Sequence, residues 1–208
     1  MPRLISAIVL VIGFAPVAFA KTGDATAVIQ KTNARFRELL AAKTAPGSAE
    51  EKNLTEKLTA EMRGLFDIAG LAKNALGPHW NEMKESEQTD LVDTLQKLVE
   101  RSYLGDLRDN LSYEMTFAGE EPQADGVLVK SVLKANRNGR VAEIALDYWL
   151  HQSGAGWRVD DVVIDDSSMV RNYRSQFNRI IAKDGIAGLL SKMHKKLGET
   201  ESKRPATR

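Results

Sequence analysis

The side chains able to do metal or acid–base chemistry are thinly spread in this 208-residue chain. Histidine occurs only at His79, His151 and His194, and cysteine does not occur. No histidine has a second His or a Cys at metal-ligand spacing, so each is read as a solvent-facing or hydrogen-bonded structural residue. Two carboxylate pairs, Asp160-Asp161 and Asp165-Asp166, bracket the end of a strand-like run. Neighbours on a strand point to opposite faces, so neither pair can converge on one cation. The alternating acids and closing Glu of a calcium loop are also missing. These aspartates are therefore strand-end and turn residues, with Asp165 or Asp166 capping the helix that follows. No G-x-S-x-G elbow is present for a nucleophilic serine, and no Gly-rich phosphate loop runs into a helix. Ser153-Gly154-Ala155-Gly156 joins two strands instead. One catalytic arrangement stays open: Asp161, Tyr148 or His151 working in an apolar pocket, which would require a carboxylate with a raised pKa beside a substrate site.

With no reacting constellation, the apolar and aromatic positions carry the interest. Their simplest role is core, and the elements that hold them follow from periodicity.

Met1-Pro2-Arg3 is a short cationic start, followed by an apolar run to Ala15, then Pro16 and Ala18-Phe19-Ala20. This is the pattern of a secretory signal peptide cut after Ala20. The apolar run is too short for a spanning helix, which needs about 20 residues. Without cysteine there is neither a lipid-anchoring residue nor a disulfide framework. Residues 21–197 read as one domain, soluble and unanchored in a bacterial envelope, with 198–208 as a disordered polar tail. Losing Arg3 with the leader leaves 28 basic side chains against 28 acidic ones. That balance argues against nucleic acid as a partner. A monomer is expected.

Helical spacing predicts helices over about 24–43, 49–63 and 66–76, the second opened by a Ser48/Glu51 capping box. A long helix starts near Ser86 and ends between Gly105 and Asn110, with Leu91, Leu95, Leu98 and Tyr103 on its apolar face. The period then falls to two. Tyr113, Met115 and Phe117 alternate with polar residues, and strands are expected over 111–118, 127–135, 141–150 and 157–164. Short Asn- and Gly-bearing links make them an antiparallel meander. Two more helices close the chain, one presenting Val170, Tyr173 and Phe177, the next Ile186, Leu189 and Leu190. Helices, strands, then helices is an α+β order. The fold expected is a curved four-stranded antiparallel sheet with N- and C-terminal helices over one face.

One stretch carries a resemblance. Asp147-Tyr148, Gly156-Trp157-Arg158-Val159 running to Ile164-Asp165, and Asn172-Tyr173-Arg174 with Gln176-Phe177 occur in a fixed order. Upstream come Phe66-Asp67, Ala75-Leu76-Gly77, His79-Trp80, Gln88, Leu98 and Tyr103. This is similar to the periplasmic phospholipid-binding proteins of the Mla pathway, the MlaC or toluene-tolerance family, some of whose members accompany hopanoid genes. Where that family often has Asp-Gly-Val-Ser, this chain has Asp165-Asp166-Ser167-Ser168.

The resemblance implies an NTF2-like fold whose sheet and helices enclose an apolar cavity. It implies a carrier and not an enzyme, needing no cofactor. The cargo would be a phospholipid or a hopanoid-like lipid. The partners would be an inner-membrane ABC transporter with a lipid-binding ring and an outer-membrane lipoprotein–porin complex. Acyl chains are then expected against Leu95, Leu98, Tyr103, Tyr113, Met115, Phe117, Val129, Leu133, Tyr148, Tyr173 and Phe177. Arg171 and Arg174 are the candidate contacts for a headgroup or a partner. The competing reading is a non-catalytic envelope adaptor whose core is simply filled.

Overall fold

The computed structural model describes residues 23–45, 47–109, 113–137, 140–154 and 156–202, without the side chains of 103–109, 135–137, 140 and 200–202. The leader read over residues 1–20 and the last six residues lie outside these. Helices α1 (Asp24–Leu40), α2 (Ala49–Leu65), α3 (Ile68–Leu76) and α4 (Glu85–Asp109) come first, with a 3₁₀ turn at Gly77–Glu82. Strands β1 (Tyr113–Gln123), β2 (Gly126–Arg137), β3 (Arg140–Ser153), β4 (Gly156–Ile164) and β5 (Ser167–Ser168) follow, then α5 (Met169–Ser202). The sheet is antiparallel in the order β1-β2-β3-β4-β5. It has five strands where four were expected; the fifth is a two-residue return paired to the end of β4.

Local chemistry explains most boundaries. Ser48 Oγ accepts from Glu51 N–H at 3.1 Å, satisfying one of the otherwise orphaned donors of α2, and the Glu51 carboxylate accepts from Gly47 N–H just before the cap. Asp67 Oδ1 does the same for Gly70 N–H at the start of α3. The far end of α3 stops at Gly77, whose φ of 55° suits glycine. The Arg158 guanidinium closes α2 by donating to the Arg63 and Phe66 carbonyls at 2.8 and 2.6 Å.

The start of α5 is capped differently from expectation. Asp165 and Asp166 take φ values of 45° and 64° and form the turn between β4 and β5. A two-residue hairpin turn needs positive φ, which Asp tolerates better than most residues. Asp165 also exchanges hydrogen bonds with Ala145 on β3, so the turn is held without the family's glycine. The capping is done by Asp161 and Ser168. Asp161 Oδ1 accepts from Val162 and Val170 N–H at 2.8 and 2.9 Å, and its Oδ2 from the Ser168 hydroxyl. Ser168 Oγ accepts from Arg171 N–H at 3.0 Å. Bonds to a charged acceptor are worth roughly 1.5–3 kcal/mol each and are not additive. Asp161→Ala should therefore cost about 3 kcal/mol in total and lower the melting temperature by roughly 6–12 °C. Thermal unfolding followed by circular dichroism reads it; an unchanged transition would mean that α5 starts without this cap.

Two differences in length have tertiary causes. β1 continues past Ala118 to Gln123 by taking a bulge between Phe117 and Gly119, whereas Gly119-Glu120-Glu121-Pro122 reads locally as loop. Glu120, placed inward by that bulge, accepts from Thr26 N–H at 2.5 Å at the first turn of α1. The final helix was read as two, and Gly185 (φ 68°, ψ −176°) is indeed non-helical within it. Beyond it the helix runs to Ser202. Arg101 of α4 donates to the Leu197 carbonyl at 2.9 Å, which ties that end to the body of the protein.

Candidate functional site

The sheet has two unlike faces. Side chains alternate along each strand, so the register assigns every residue to one of them. Tyr113, Met115 and Phe117 of β1 share a face with Val129 and Leu133 of β2, and with Ile144, Leu146, Tyr148 and Leu150 of β3. This face looks at the helices. Val129, Tyr148, Leu150, Val159 and Val162 are buried on it, in one cluster with Leu71 and Leu76 of α3, Leu91 and Leu95 of α4, and Phe177 and Leu189 of α5.

Towards the β2–β3 hairpin the described residues of the same face are half-buried rather than buried. Met115 pairs with Leu133, and Leu133 with Ile144, so three apolar side chains lie in one row across β1, β2 and β3. All three are half-buried. Among the described residues they stand apart from the buried cluster and from the side chains packed on it. Such a row, facing inward yet only half-buried, keeps some apolar surface in reach of solvent outside the core cluster.

The expected lining residues divide accordingly. Leu95, Val129, Tyr148 and Phe177 are at most 4% exposed, so protein already covers them and they form the closed end of the inner face. Leu98, Tyr113, Phe117 and Tyr173 are half-buried at the margin of that cluster. The Tyr173 and Phe177 rings lie 5.5 Å apart, and burial raises the Tyr173 phenol above its usual range. Met115 and Leu133 belong to the open row. Tyr103 lies in α4, with its side chain outside the described residues. Ile144 was missed, although its even spacing from Tyr148 on β3 puts it in phase.

The two arginines sit elsewhere. The Arg174 guanidinium donates to the Asn74 carbonyl at 3.2 and 2.7 Å, closing the end of α3. Arg171 donates to the Asp166 carbonyl and lines a groove of about 620 Å³ with Lys130, Asp147, Trp149 and Val163. Those four belong to the outer face of the sheet.

Side chains with acid–base potential are engaged in the fold. His151 Nδ1 meets Asp160 Oδ1 at 3.0 Å, and its Nε2 lies 3.7 Å from Asp67. Burial raises the Asp160 carboxyl, and His151 opposes the shift. His79 pairs with Glu82 and His194 with Asp90. Tyr148 points to the inner face while His151 and Asp161 belong to the outer one, so the three catalytic candidates do not converge. Buried Glu100 is held by Arg63 and Gln96, joining α2 to α4. Among the described residues, no three His, Asp or Glu side chains are grouped to hold a metal ion.

Comparison with known proteins decides the family. The model of the MlaC protein family matches residues 30–195, most of the chain. The chain belongs to the MlaC family. The structure of the phospholipid-binding protein from Ralstonia solanacearum in complex with a phospholipid is 24% identical to this MlaC-family chain. It superposes with a TM-score of 0.72, covering 86% of this chain and 99% of that one. At that identity the likeness speaks for the fold. No curated protein sequence matches the chain.

Proposed function

We propose that this MlaC-family protein binds a phospholipid, its acyl chains lying between the helices and the open part of the inner sheet face. The observation that carries the reading is the Met115–Leu133–Ile144 row, apolar, helix-facing and outside the buried cluster. The phospholipid bound to the structurally similar Ralstonia solanacearum protein supports it. In this reading the space between sheet and helices is an apolar cavity of an NTF2-like fold, bordered by Leu98, Tyr113, Phe117 and Tyr173.

The function is carriage, not catalysis. After cleavage at Ala20 the protein works in the periplasm, as one lipid-binding domain from residue 21. It takes lipid from or delivers it to an outer-membrane lipoprotein–porin complex and an inner-membrane ABC transporter with a lipid-binding ring. Burying apolar chain contributes about 0.8 kcal/mol per CH₂, so two acyl chains are held by well over ~15 kcal/mol relative to water. Escape into water is correspondingly slow. Transfer to another apolar site is not, since both ends of the step are apolar, and direction comes from the acceptor's affinity or its ATP hydrolysis.

Native mass spectrometry of detergent-free protein, followed by organic extraction, tests this. The expected result is one lipid per chain, with its mass separating phospholipid from hopanoid cargo. Empty protein that also takes nothing from vesicles would leave the row as surface and reject the carrier.

A further inference from the structure

The solvent face of the first part of α5 carries a single sign of charge. Residues 167–183 hold Arg171, Arg174, Arg179 and Lys183, with no Asp or Glu among them. Successive helical residues turn by about 100°, so Arg171, Arg179 and Lys183 share one sector of roughly 120°, centred opposite buried Phe177. All three are exposed, and together they span about 18 Å of helix. Arg174 lies to one side of the sector. Its bonds to the Asn74 carbonyl bring it beside exposed Lys73 of α3.

Acids border this face without crossing it. Asp165 and Asp166 stand before its start, in the β4–β5 turn. Asp184, at its far end, is bound to Lys192. Other helices pair their charges, as Arg35 with Glu38 and Arg63 with Glu100. Arg179, in contrast, has no hydrogen bond or ion pair among the described residues. Arg179 and Lys183 are one turn apart, a spacing at which like charges repel. An anionic surface laid against them would turn that repulsion into attraction.

The residues between the cations say which kind of surface fits. The sector is filled by Asn172, Ser175 and Ala182, and no large apolar side chain is exposed on it. A protein partner ordinarily needs an aromatic or apolar anchor at the centre of such a patch. A charged bilayer needs only sign and area, since each cation near its surface adds its own share. Insertion is closed to this helix, because its apolar side, with Val170 and Phe177, is already spent on the core.

We infer that the basic face of α5 docks the protein on an anionic bilayer surface, by charge and without insertion. The docking does not rest on the lipid reading above, and protein with or without cargo should dock alike.

Sedimentation with vesicles at low salt tests it, comparing pure phosphatidylcholine with an equal mixture of phosphatidylcholine and phosphatidylglycerol. Wild type should partition onto the anionic vesicles at least about a hundredfold better. That advantage should largely vanish by roughly 0.5 M salt, as screening shortens the reach of each charge. Arg179→Gln/Lys183→Gln should lose about ten- to thirtyfold of it. Gln suits an exposed helix position, so the melting temperature should hold, and Arg179→Gln alone serves if the double variant is unstable. Lys52→Gln/Lys57→Gln removes the same charge from exposed positions of α2 and should keep wild-type partition. Three results would each overturn the docking face while leaving the carrier standing: equal wild-type binding to both vesicles, an undiminished advantage in the α5 variant, or an equal loss in the α2 variant. No partition onto anionic vesicles, with polyglutamate binding that the α5 variant loses, would assign the face to an acidic protein and reject the bilayer.

Discussion

Phe177→Asp is expected to remove most of the folding stability. Phe177 is 4% exposed, inside the cluster that joins α5 to the sheet and α3, with the Tyr173 ring 5.5 Å away. Losing a buried phenyl ring costs about 3–5 kcal/mol. An unpaired carboxylate in its place adds several more, or takes up a proton to avoid them. Against a total of roughly 5–15 kcal/mol, little remains. Urea unfolding should show a midpoint shifted far towards zero denaturant; a wild-type midpoint would mean that α5 does not hold the core. The consequence for function is practical. Lost lipid in this variant would report lost structure, so Phe177 cannot test the proposed lipid contact even though its apolar character first suggested it.

Leu133→Asp should do what Phe177→Asp cannot, emptying the protein while leaving it folded. Leu133 is half-buried and sits between Met115 and Ile144 without joining the buried cluster. Its replacement should cost about 1 kcal/mol, a fall of roughly 2–4 °C in melting temperature. A carboxylate in the path of an acyl chain must instead be desolvated whenever lipid enters, which costs several kcal/mol. Each 1.4 kcal/mol is a tenfold loss of affinity, so copurified lipid should drop by more than tenfold. Extracted lipid per folded chain is the measurement. A folded variant with wild-type lipid content would place the acyl chains elsewhere.

The contrast between Phe177 and Leu133 shows where sequence reasoning stopped. Both are apolar, and both sit in periodic segments on inward faces. Alternation assigned the face correctly for Tyr113, Met115, Phe117, Val129, Leu133 and Tyr148, because a period of two is a property of the strand itself. It could not say how far the helices reach across that face. Val129 is fully buried, while Leu133, four residues along the same strand, is only half-buried.

The charged groups follow the same division. Ser48 and Glu51 cap α2 as their spacing predicts, since the partners are three residues apart. Asp161 caps a helix that starts eight residues later, across the β4–β5 turn, so no local pattern marks it. Arg174 reaches a carbonyl 100 residues away in sequence.

By itself, the sequence determined the order of elements, the antiparallel meander and the alternation of the first strand, and its spaced motifs already pointed to the MlaC family. These rest on interactions between residues near one another in the chain. The tertiary structure alone decided which inward residues are fully buried and which only half-buried, and which aspartate starts α5. Those outcomes depend on the distance between a helix and a strand far apart in sequence, a quantity set by the packing of the whole domain.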